Sequence, residues 1–268
     1  MEELTDVRYH VEDGLAWVTI DRPDRLNAFR ARTVDELIVC FKRAWASRDV
    51  GVVCLTGEGG RAFCTGGDQK QRAQSGDYGP SRSGLFEIEH LHRVIREIPK
   101  PVIAAVNGYA IGGGHVLHVL CDLTIAAEHA EFGQVGPRVG SFDAGFGTGY
   151  LARVVGEKRA RELWFLCRRY DARTAERWGL VNQVVPAADL HAEVRRWADE
   201  ILRLSPTALR FLKQSFNSDT EHLAGVGQIA FSGLGLFVET DEAREGVEAF
   251  SAGREPDFSG FRGRASSA

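Results

Sequence analysis

Two short apolar runs that each end in a glycine-rich turn constrain this chain most. The first, VGVVCLTG, is followed by the loop FCTGGDQ at 63–69, and the second, PVIAAVNGYA, leads into the turn Gly112-Gly113-Gly114. A run that is apolar at every position is typical of a strand buried on both faces, as in a parallel sheet. Glycine after such a strand indicates a tight turn or a close approach to the main chain. The pattern predicts an α/β fold with two functional loops at strand ends.

The flanking stretches predict further elements. VRYHVEDGLAWVTID favours a hairpin that turns at 12–14. Thr33 and Glu36 form a capping-box pattern at the start of the helix TVDELIVCFKRAWA. The last third of the chain is mostly helical in pattern, so we expect a core over 1–200 and a C-terminal helical segment over 201–268.

Composition narrows the class of protein. The 268 residues are 44% hydrophobic and 26% charged, which is typical of a globular protein with a full core. A formal net charge of −4 argues against nucleic acid or an anionic membrane as the main partner. The first residues lack a secretory-signal pattern, and no apolar run reaches the roughly 20 residues of a membrane helix. Five scattered cysteines favour buried free thiols and a cytoplasmic location: Cys40, Cys54, Cys64, Cys121 and Cys167.

The two glycine loops each join a strand end to a helix start. Helix N-termini carry unpaired N–H groups and a partial positive charge. Two such N–H groups that converge on one point form an oxyanion hole, and glycine leaves room for the approaching oxygen. The alternative is that the glycines only make tight turns. Two loops after two buried strands favour the hole, and with it acyl chemistry.

A dinucleotide-binding fingerprint is a rival interpretation of the first loop. Gly57, Gly59 and Ala62 fit G-x-G-x-x-A after an apolar strand, but a helix should open there and the sequence continues as FCTGGDQKQR. The nucleophile-elbow motif G-x-S-x-G is absent from the sequence.

A metal site is a second rival. His115, His118 and Cys121 recur at steps of three, which drift off one face of a helix, and no carboxylate accompanies them. Buried packing is the favoured interpretation of these three side chains.

Five stretches carry a resemblance to a known family: RLNAF, GGRAFCTGGD, KPVIAAVNGYAIGGGHVL, CDLTIAA and FGQVGPRVG. In this order and spacing they resemble the crotonase (enoyl-CoA hydratase/isomerase) superfamily. The resemblance implies a spiral of ββα units, C-terminal helices that mediate trimerisation, and a homotrimer or homohexamer. It also implies an acyl-CoA substrate without a tightly bound cofactor, and a thioester enolate held by the N–H groups of Gly67 and Gly113. Positions that match CoA or substrate contacts in the family are Arg25, Ala28, Ala62, Thr65, Gly66, Asp68, Gln69, Tyr109, Gly112, Val135 and Gly136.

The hydratases of this superfamily use two glutamates to manage water. At the matching positions this sequence has Val116 and Gly136. A hydratase would therefore lack its acid and base. A non-catalytic scaffold is another alternative, but the intact hole together with Ser141 and Asp143 favours an enzyme.

The stretch GSFDAGFGTGYLARVVGEKRARELWFLCRRYDA resembles naphthoate synthases and 2-ketocyclohexanecarboxyl-CoA hydrolases. In these relatives the matching serine and aspartate, Ser141 and Asp143, line the active site. An aspartate before a helix is otherwise a common N-cap. In many synthases a glutamine and a tryptophan, here Gln134 and Trp164, hold a bicarbonate that serves as base. Packing within a helix is the alternative for the tryptophan.

Synthase and hydrolase run related chemistry in opposite directions, one closing and one opening a ring. AWVTIDRPDRLNAFRARTVDEL and SPTALRFLKQSFNSDTEHLAGVG resemble the hydrolase more, whereas GGGHVLH and WFLCRRYDA are closer to the synthase. The synthase has an arginine directly before NAF, where this chain has Leu26 preceded by Arg25. Both relatives carry a C-terminal tyrosine where this chain has Val238. Tyr78 matches a mobile-loop tyrosine and is a candidate acid. Ring-opening hydrolysis is the favoured function, and ring-closing condensation is the alternative.

Overall fold

The apolar runs pair into two sheets in a computed structural model that describes residues 4–142 and 146–262. Elements are numbered in chain order. The larger sheet holds, in spatial order, β1 (Val7–Glu12), β2 (Leu15–Ile20), β3 (Val52–Gly57), β5 (Val102–Val106), β7 (Leu123–Ala127) and β10 (Gln183–Val185). The smaller sheet holds β4 (Ala62–Cys64), β6 (Tyr109–Ile111), β8 (Glu131–Gly133) and β9 (Arg169–Asp171). The β1–β2 hairpin and the β8–β9 pair are antiparallel, and the other pairs are parallel.

Helices complete the described part of the chain. They are α1 (Ala31–Ala46), α2 (Gln69–Ser75), α3 (Ile88–Glu97), α4 (Gly113–Leu120), α5 (Phe146–Val155), α6 (Glu157–Leu166), α7 (Ala172–Arg177), α8 (Leu190–Leu202), α9 (Pro206–Ser218), α10 (Leu223–Phe237) and α11 (Asp241–Ala252). The strands β3 and β4, β5 and β6, and β7 and β8 each enter the larger sheet first and the smaller sheet second, before the next helix. This is the predicted series of ββα units, and the fold expectation is confirmed.

The stretch PVIAAVNGYA is not one strand, as the sequence pattern indicated. It divides at Asn107 and Gly108 into β5 and β6, which lie in different sheets. The Asn107 side chain donates to the Gly57 carbonyl at 2.7 Å. A Cβ on Gly108 would lie 2.3 Å from the Arg61 carbonyl oxygen. Continuous apolarity hid this break, because both halves are buried.

The start of α1 also differs from its prediction. The helix begins at Ala31, so Thr33 lies in the first turn, where its Oγ1 accepts a hydrogen bond from the Arg30 N–H at 3.1 Å. Glu36 does not close a capping box with Thr33. Its carboxylate accepts from the N–H groups of residues 5–7, at 3.0, 2.7 and 3.0 Å. The glutamate therefore holds the N-terminal strand against α1.

Two apolar layers enclose the larger sheet. One face packs against α1, α3 and α4, and the other face is covered by α8 through Leu190, Val194 and Ala198. Four of the five cysteines are buried as free thiols, and Cys167 is half-buried. Burial raises the pKa of the Cys64 thiol to about 12.

The C-terminal helices rest on the core. The Lys213 ammonium of α9 is buried and donates to Asp122 Oδ2 at 2.6 Å and to the Lys100 carbonyl at 3.0 Å. Within residues 4–142 and 146–262, no individual helix has the length and apolarity to cross a membrane. The pair α10 and α11, bent by 77°, passes that test jointly on length and composition alone.

Candidate functional site

The first glycine loop presents the main chain of Gly67 to a cavity. Phe29 forms a parallel bridge with Gly67, in which the Phe29 N–H donates to the Gly66 carbonyl and the Asp68 N–H donates to the Phe29 carbonyl, both at 2.8 Å. Successive N–H groups of extended backbone point to opposite sides. The Gly67 N–H therefore points away from Phe29, and Gly67 lines a cavity.

The second loop brings a helix start to the same place. Gly112 has a φ of 58° and donates its N–H to the Gly133 carbonyl at 3.0 Å, and Gly113 begins α4. N–H groups in the first turn of a helix lack an intrahelical acceptor. A Cβ on Gly66 would lie 2.9 Å from the Gly113 nitrogen, and a Cβ on Gly113 would lie 2.6 Å from Phe29 Cζ. The two loops meet, and neither leaves room for a side chain at this contact.

The cavity beside these loops has a volume of about 590 Å³. The structure brings together most of the residues that the sequence indicated, since the cavity is lined by Arg25, Ala28, Thr65, Gly66, Gly67, Asp68, Gln69, Tyr78, Tyr109, Gly112, Gly113, Gln134, Val135, Gly136, Ser141 and Trp164. Ala62 does not line it. That residue is buried in β4, where its carbonyl accepts from Asn27 Nδ2 at 2.7 Å, so its place in the motif is structural. Asp143 lies outside the described residues.

A tight turn carries the far wall of the cavity. After β8, residues 136–138 form a short 3₁₀ turn, and the Ser141 N–H donates to the Gly136 carbonyl at 2.9 Å. Gly140, at a φ of 65°, reverses the chain. This geometry places Ser141 on the cavity wall just before the residues that lead into α5.

The comparisons with known proteins agree with this architecture. The model of the enoyl-CoA hydratase/isomerase family matches residues 10–261. The chain belongs to this family. It is a member of the crotonase superfamily, an enzyme superfamily whose substrates are acyl-CoA thioesters.

Solved structures of several family members resemble the chain over nearly its whole length. An enoyl-CoA hydratase from Mycobacterium avium subsp. paratuberculosis K-10 is 29% identical, with 96% of this chain and 99% of that chain covered and a TM-score of 0.85. A carnitinyl-CoA hydratase from Mycobacterium avium is 28% identical, with 95% and 98% covered and a TM-score of 0.85. Enoyl-CoA hydratase subunit I from Geobacillus kaustophilus HTA426 is 31% identical, with 97% and 100% covered and a TM-score of 0.74.

In this family member, Tyr78 lies against the first loop. A Cβ on Gly67 would lie 2.8 Å from the Tyr78 hydroxyl and 2.5 Å from its ring. The ring stacks on Phe86 with centroids 4.6 Å apart, and the Tyr78 carbonyl accepts from the Ala31 N–H at 2.8 Å. Tyr78 is therefore half-buried beside the candidate hole, where a phenol can donate to a ligand.

Gln134 and Trp164 both line the cavity and are both buried. Gln134 Nε2 lies 3.2 Å from His115 Nδ1, a contact that uses one of the two amide hydrogens. The Trp164 indole N–H is buried without a hydrogen-bond partner among the described residues. A buried donor without an acceptor costs free energy, so the pair has unused capacity for a small oxyanion.

Charged side chains line the entrance of the cavity, and one of them, Asp68, also positions the first loop. Burial alone would raise the pKa of Asp68, but hydrogen bonds from the Gln71 N–H and the Arg22 guanidinium lower it below its usual value. Asp68 thereby caps α2 and positions the first loop. Arg25 is exposed at the mouth, and the Arg169 guanidinium lies 5.3 Å from the centroid of the Tyr109 ring. Such positive groups suit the phosphates of a CoA ester.

The candidate metal ligands belong to the core. The rings of His115 and His118 contact edge to face at 4.8 Å, and both pack on Phe132. Within the described residues no three metal-binding side chains converge. The dinucleotide alternative is wrong, because the strand β4 and not a helix follows Gly59.

Several cavity residues were missed by the sequence interpretation. His92 of α3 and the C-terminal residues Phe231, Leu234 and Phe250 line the cavity as well. A histidine on the apolar face of α3, one turn after Ile88, was a readable signal for the first. The other three lie far along the chain, and no local pattern connects them to the glycine loops.

Proposed function

We propose that this enzyme opens a cyclic β-keto acyl-CoA by hydrolytic C–C cleavage, as 2-ketocyclohexanecarboxyl-CoA hydrolases do. One observation carries the proposal: the cavity combines the main chains of two glycine loops that meet with a described wall that lacks the glutamate pair of a hydratase. The carboxylates on that described wall are Asp24, exposed at the mouth, and Asp68, which caps α2. Val116 is fully buried in α4 and does not line the cavity.

The names of the similar structures favour a hydratase, but hydration needs an acid and a base beside the enolate. The described cavity wall carries hydroxyl, phenol, imidazole and indole groups, among them those of Tyr78, Ser141, His92 and Trp164. None of these groups is a carboxylate, so none replaces a hydratase glutamate. The chemistry therefore differs from hydration while it uses the same enolate.

In the proposed reaction, water adds to the ring ketone and loses a proton to Asp143, with Ser141 beside it. The bond between the former ketone carbon and Cα then breaks. Its electron pair becomes the thioester enolate, whose oxygen is held by the N–H groups of Gly67 and Gly113. Protonation at Cα, with Tyr78 as the candidate acid, and ionisation of the new carboxylic acid yield an open acyl-CoA that carries a carboxylate. The proton held by Asp143 then passes to the Tyr78 phenolate, which restores both groups.

Ring-closing condensation of the naphthoate synthase type is the second candidate, and the unused donor of Trp164 favours it. Gln134 and Trp164 would hold a bicarbonate, which supplies a base without adding a protein carboxylate. The enolate of the thioester would then attack a carbonyl carbon, with the same two N–H groups stabilising the developing charge. The sequence stretches near the N-terminus and in α9 support the hydrolase over this alternative.

Product analysis tests the proposal. The protein is incubated with 2-ketocyclohexanecarboxyl-CoA, o-succinylbenzoyl-CoA and crotonyl-CoA, with and without bicarbonate after degassing, and products are identified by mass. We expect ring opening of the first ester, and an about 10²-fold or greater loss of turnover in Asp143→Asn with CoA-ester binding retained. Efficient hydration of crotonyl-CoA, with both larger esters unchanged, would overturn the proposal.

We also propose that the chain assembles as a trimer or hexamer through its C-terminal helices. Phe211 and Phe216 of α9 are 65% and 78% exposed, and Ile229 and Leu236 of α10 are 77% and 78% exposed. Exposed apolar residues in such number mark an interaction surface. Sedimentation should give the mass of three or six chains, and Phe216→Lys should shift the protein toward the monomer. A monomer at micromolar concentration in the wild type would contradict this.

A further inference from the structure

His92 is the described histidine that lines the active-site cavity. It lies on the apolar face of α3 and is 2% exposed. Neither Nδ1 nor Nε2 has a hydrogen-bond partner among the described residues. Each buried polar atom of this kind carries a desolvation cost that a hydrogen bond would relieve.

The surroundings of the ring are apolar. The Phe146 ring meets it edge-on at 6.1 Å between centroids, and the Phe231 ring lies at 6.2 Å. Burial lowers the pKa of His92 to about 3, so the imidazole is neutral at physiological pH. A neutral imidazole has one N–H donor and one acceptor nitrogen. Its N–H can donate to a carbonyl or hydroxyl oxygen, and its other nitrogen can accept from a hydroxyl group.

The other two buried histidines provide an internal comparison. His115 Nδ1 lies 3.2 Å from Gln134 Nε2, and His118 Nδ1 lies 3.3 Å from Thr124 Oγ1. Neither ring lines the cavity. Each of these two rings thus has a protein partner for one nitrogen, whereas both nitrogens of His92 are unpartnered at the cavity wall. A leucine or phenylalanine would fill the position of His92 without that cost.

We propose that His92 is a specificity-determining residue that hydrogen-bonds a carbonyl or hydroxyl oxygen on the acyl group of the substrate. The proposal rests on the proposed function, in that the ligand is an acyl-CoA with a ring-sized, oxygen-bearing acyl group. The aromatic ring of Phe231, which lines the cavity beside His92, contacts the hydrocarbon part of the acyl group. The imidazole selects those acyl groups that carry the oxygen. An acyl group without it leaves the imidazole unpaired, and enzyme sites reject such analogues strongly.

Equilibrium binding of inert esters tests this. Dissociation constants are measured by competition for cyclohexanecarboxyl-CoA and for its 2-, 3- and 4-hydroxy analogues, each recovered and confirmed intact by mass. We expect at least one hydroxy isomer to bind the wild type about ten-fold or more tightly than the parent ester, the effect of one buried hydrogen bond. In His92→Leu that preference should vanish, because neither ester then meets an imidazole, and His92→Gln should restore part of it.

His118→Leu is the matched control, because it removes a buried imidazole from the same core without altering the cavity wall. It should keep the preference of the wild type for the hydroxy isomer. The proposal is overturned if no isomer is preferred by the wild type, or if His92→Leu retains the preference. A wild type that binds the parent ester but prefers no hydroxy isomer contradicts the role of His92 alone. A wild type that binds no CoA ester at all contradicts the proposed function as well.

Discussion

Gly113 serves the candidate hole through its main chain alone, so a substitution must remove the N–H without unfolding the loop. Proline does so, and it is tolerated at the first position of a helix. If the donor contributes as oxyanion-hole donors do elsewhere, Gly113→Pro should cost about 2.7–4 kcal/mol of transition-state stabilisation, or roughly 10²–10³ in kcat. The measurement is kcat on the ester identified by product analysis.

Gly113→Ala is the control for that substitution. Both variants add a Cβ that would lie 2.6 Å from Phe29 Cζ, so the Phe29 ring must shift in both. Only proline removes the N–H. A loss in Gly113→Ala as large as the loss in Gly113→Pro would assign the effect to Phe29 and not to the donor.

At the residue scale, the sequence predicted which residues lie on the cavity wall where the residue type itself indicates a chemical role. The glycine pairs, Ser141 and the Gln134–Trp164 pair all lie on the cavity wall. Ala62 shows the limit, because its motif position reflects a backbone contact with Asn27 and not a contact with the cavity. His92 shows the opposite error, since a histidine on an apolar helix face has the same pattern whether it faces the core or a ligand.

At the scale of elements, α11 fixes the turn that carries Ser141. A Cβ on Gly140 would lie 2.0 Å from the Ala243 carbonyl oxygen, and a Cβ on Gly246 would lie 2.1 Å from the Gly140 nitrogen. The two backbones therefore touch. Since the partners are far apart in the chain, no local pattern predicts this contact. The sequence predicted α11 but not its contact with the turn at Gly140.

Gly246→Ala should disturb this contact. The added methyl group meets backbone that cannot rotate away, so we expect a loss of about 1–3 kcal/mol in the free energy of unfolding. Because the Ser141 turn must move, turnover should fall although Gly246 does not line the cavity. The checks are the urea midpoint and kcat/KM.

Gly235→Ala on α10 is the matched control, since its Cβ would meet nothing within 4 Å in the single chain. It should be neutral or stabilising by up to about 1 kcal/mol, the helix-propensity difference between the two residues. Normal turnover and stability in Gly246→Ala would mean that the turn does not depend on α11.

At the scale of the whole molecule, three histidines are buried in the core as neutral rings. Burial lowers the pKa of His92 and of His115 to about 3 each. Burial, followed by the neighbouring charge of His115, lowers the pKa of His118 as well. The spacing of His115 and His118, with Cys121, suggested a metal site as the alternative to packing. The structure shows His115 and His118 packed ring to ring, with an energetic consequence that depends on pH.

That consequence is a loss of stability in mild acid. In the unfolded chain a histidine binds a proton below its usual pKa of about 6.5, whereas the folded chain binds none here until about pH 3. The stabilisation is therefore complete above pH 6.5 and is lost as the pH falls from 6.5 toward 3. With three protons taken up on unfolding, the free energy of unfolding should fall by about 4 kcal/mol per pH unit below pH 6. Urea midpoints at pH 7.5, 6.5 and 5.5, at one fixed protein concentration, measure this slope.

His92→Leu should lower the slope by about a third, because one of the three protons is removed from the balance. If the wild type were equally stable at pH 7.5 and 5.5, these imidazoles would have to be protonated or solvated in the folded state. The claim that His92 is neutral, on which the proposed substrate selection depends, would then be wrong as well.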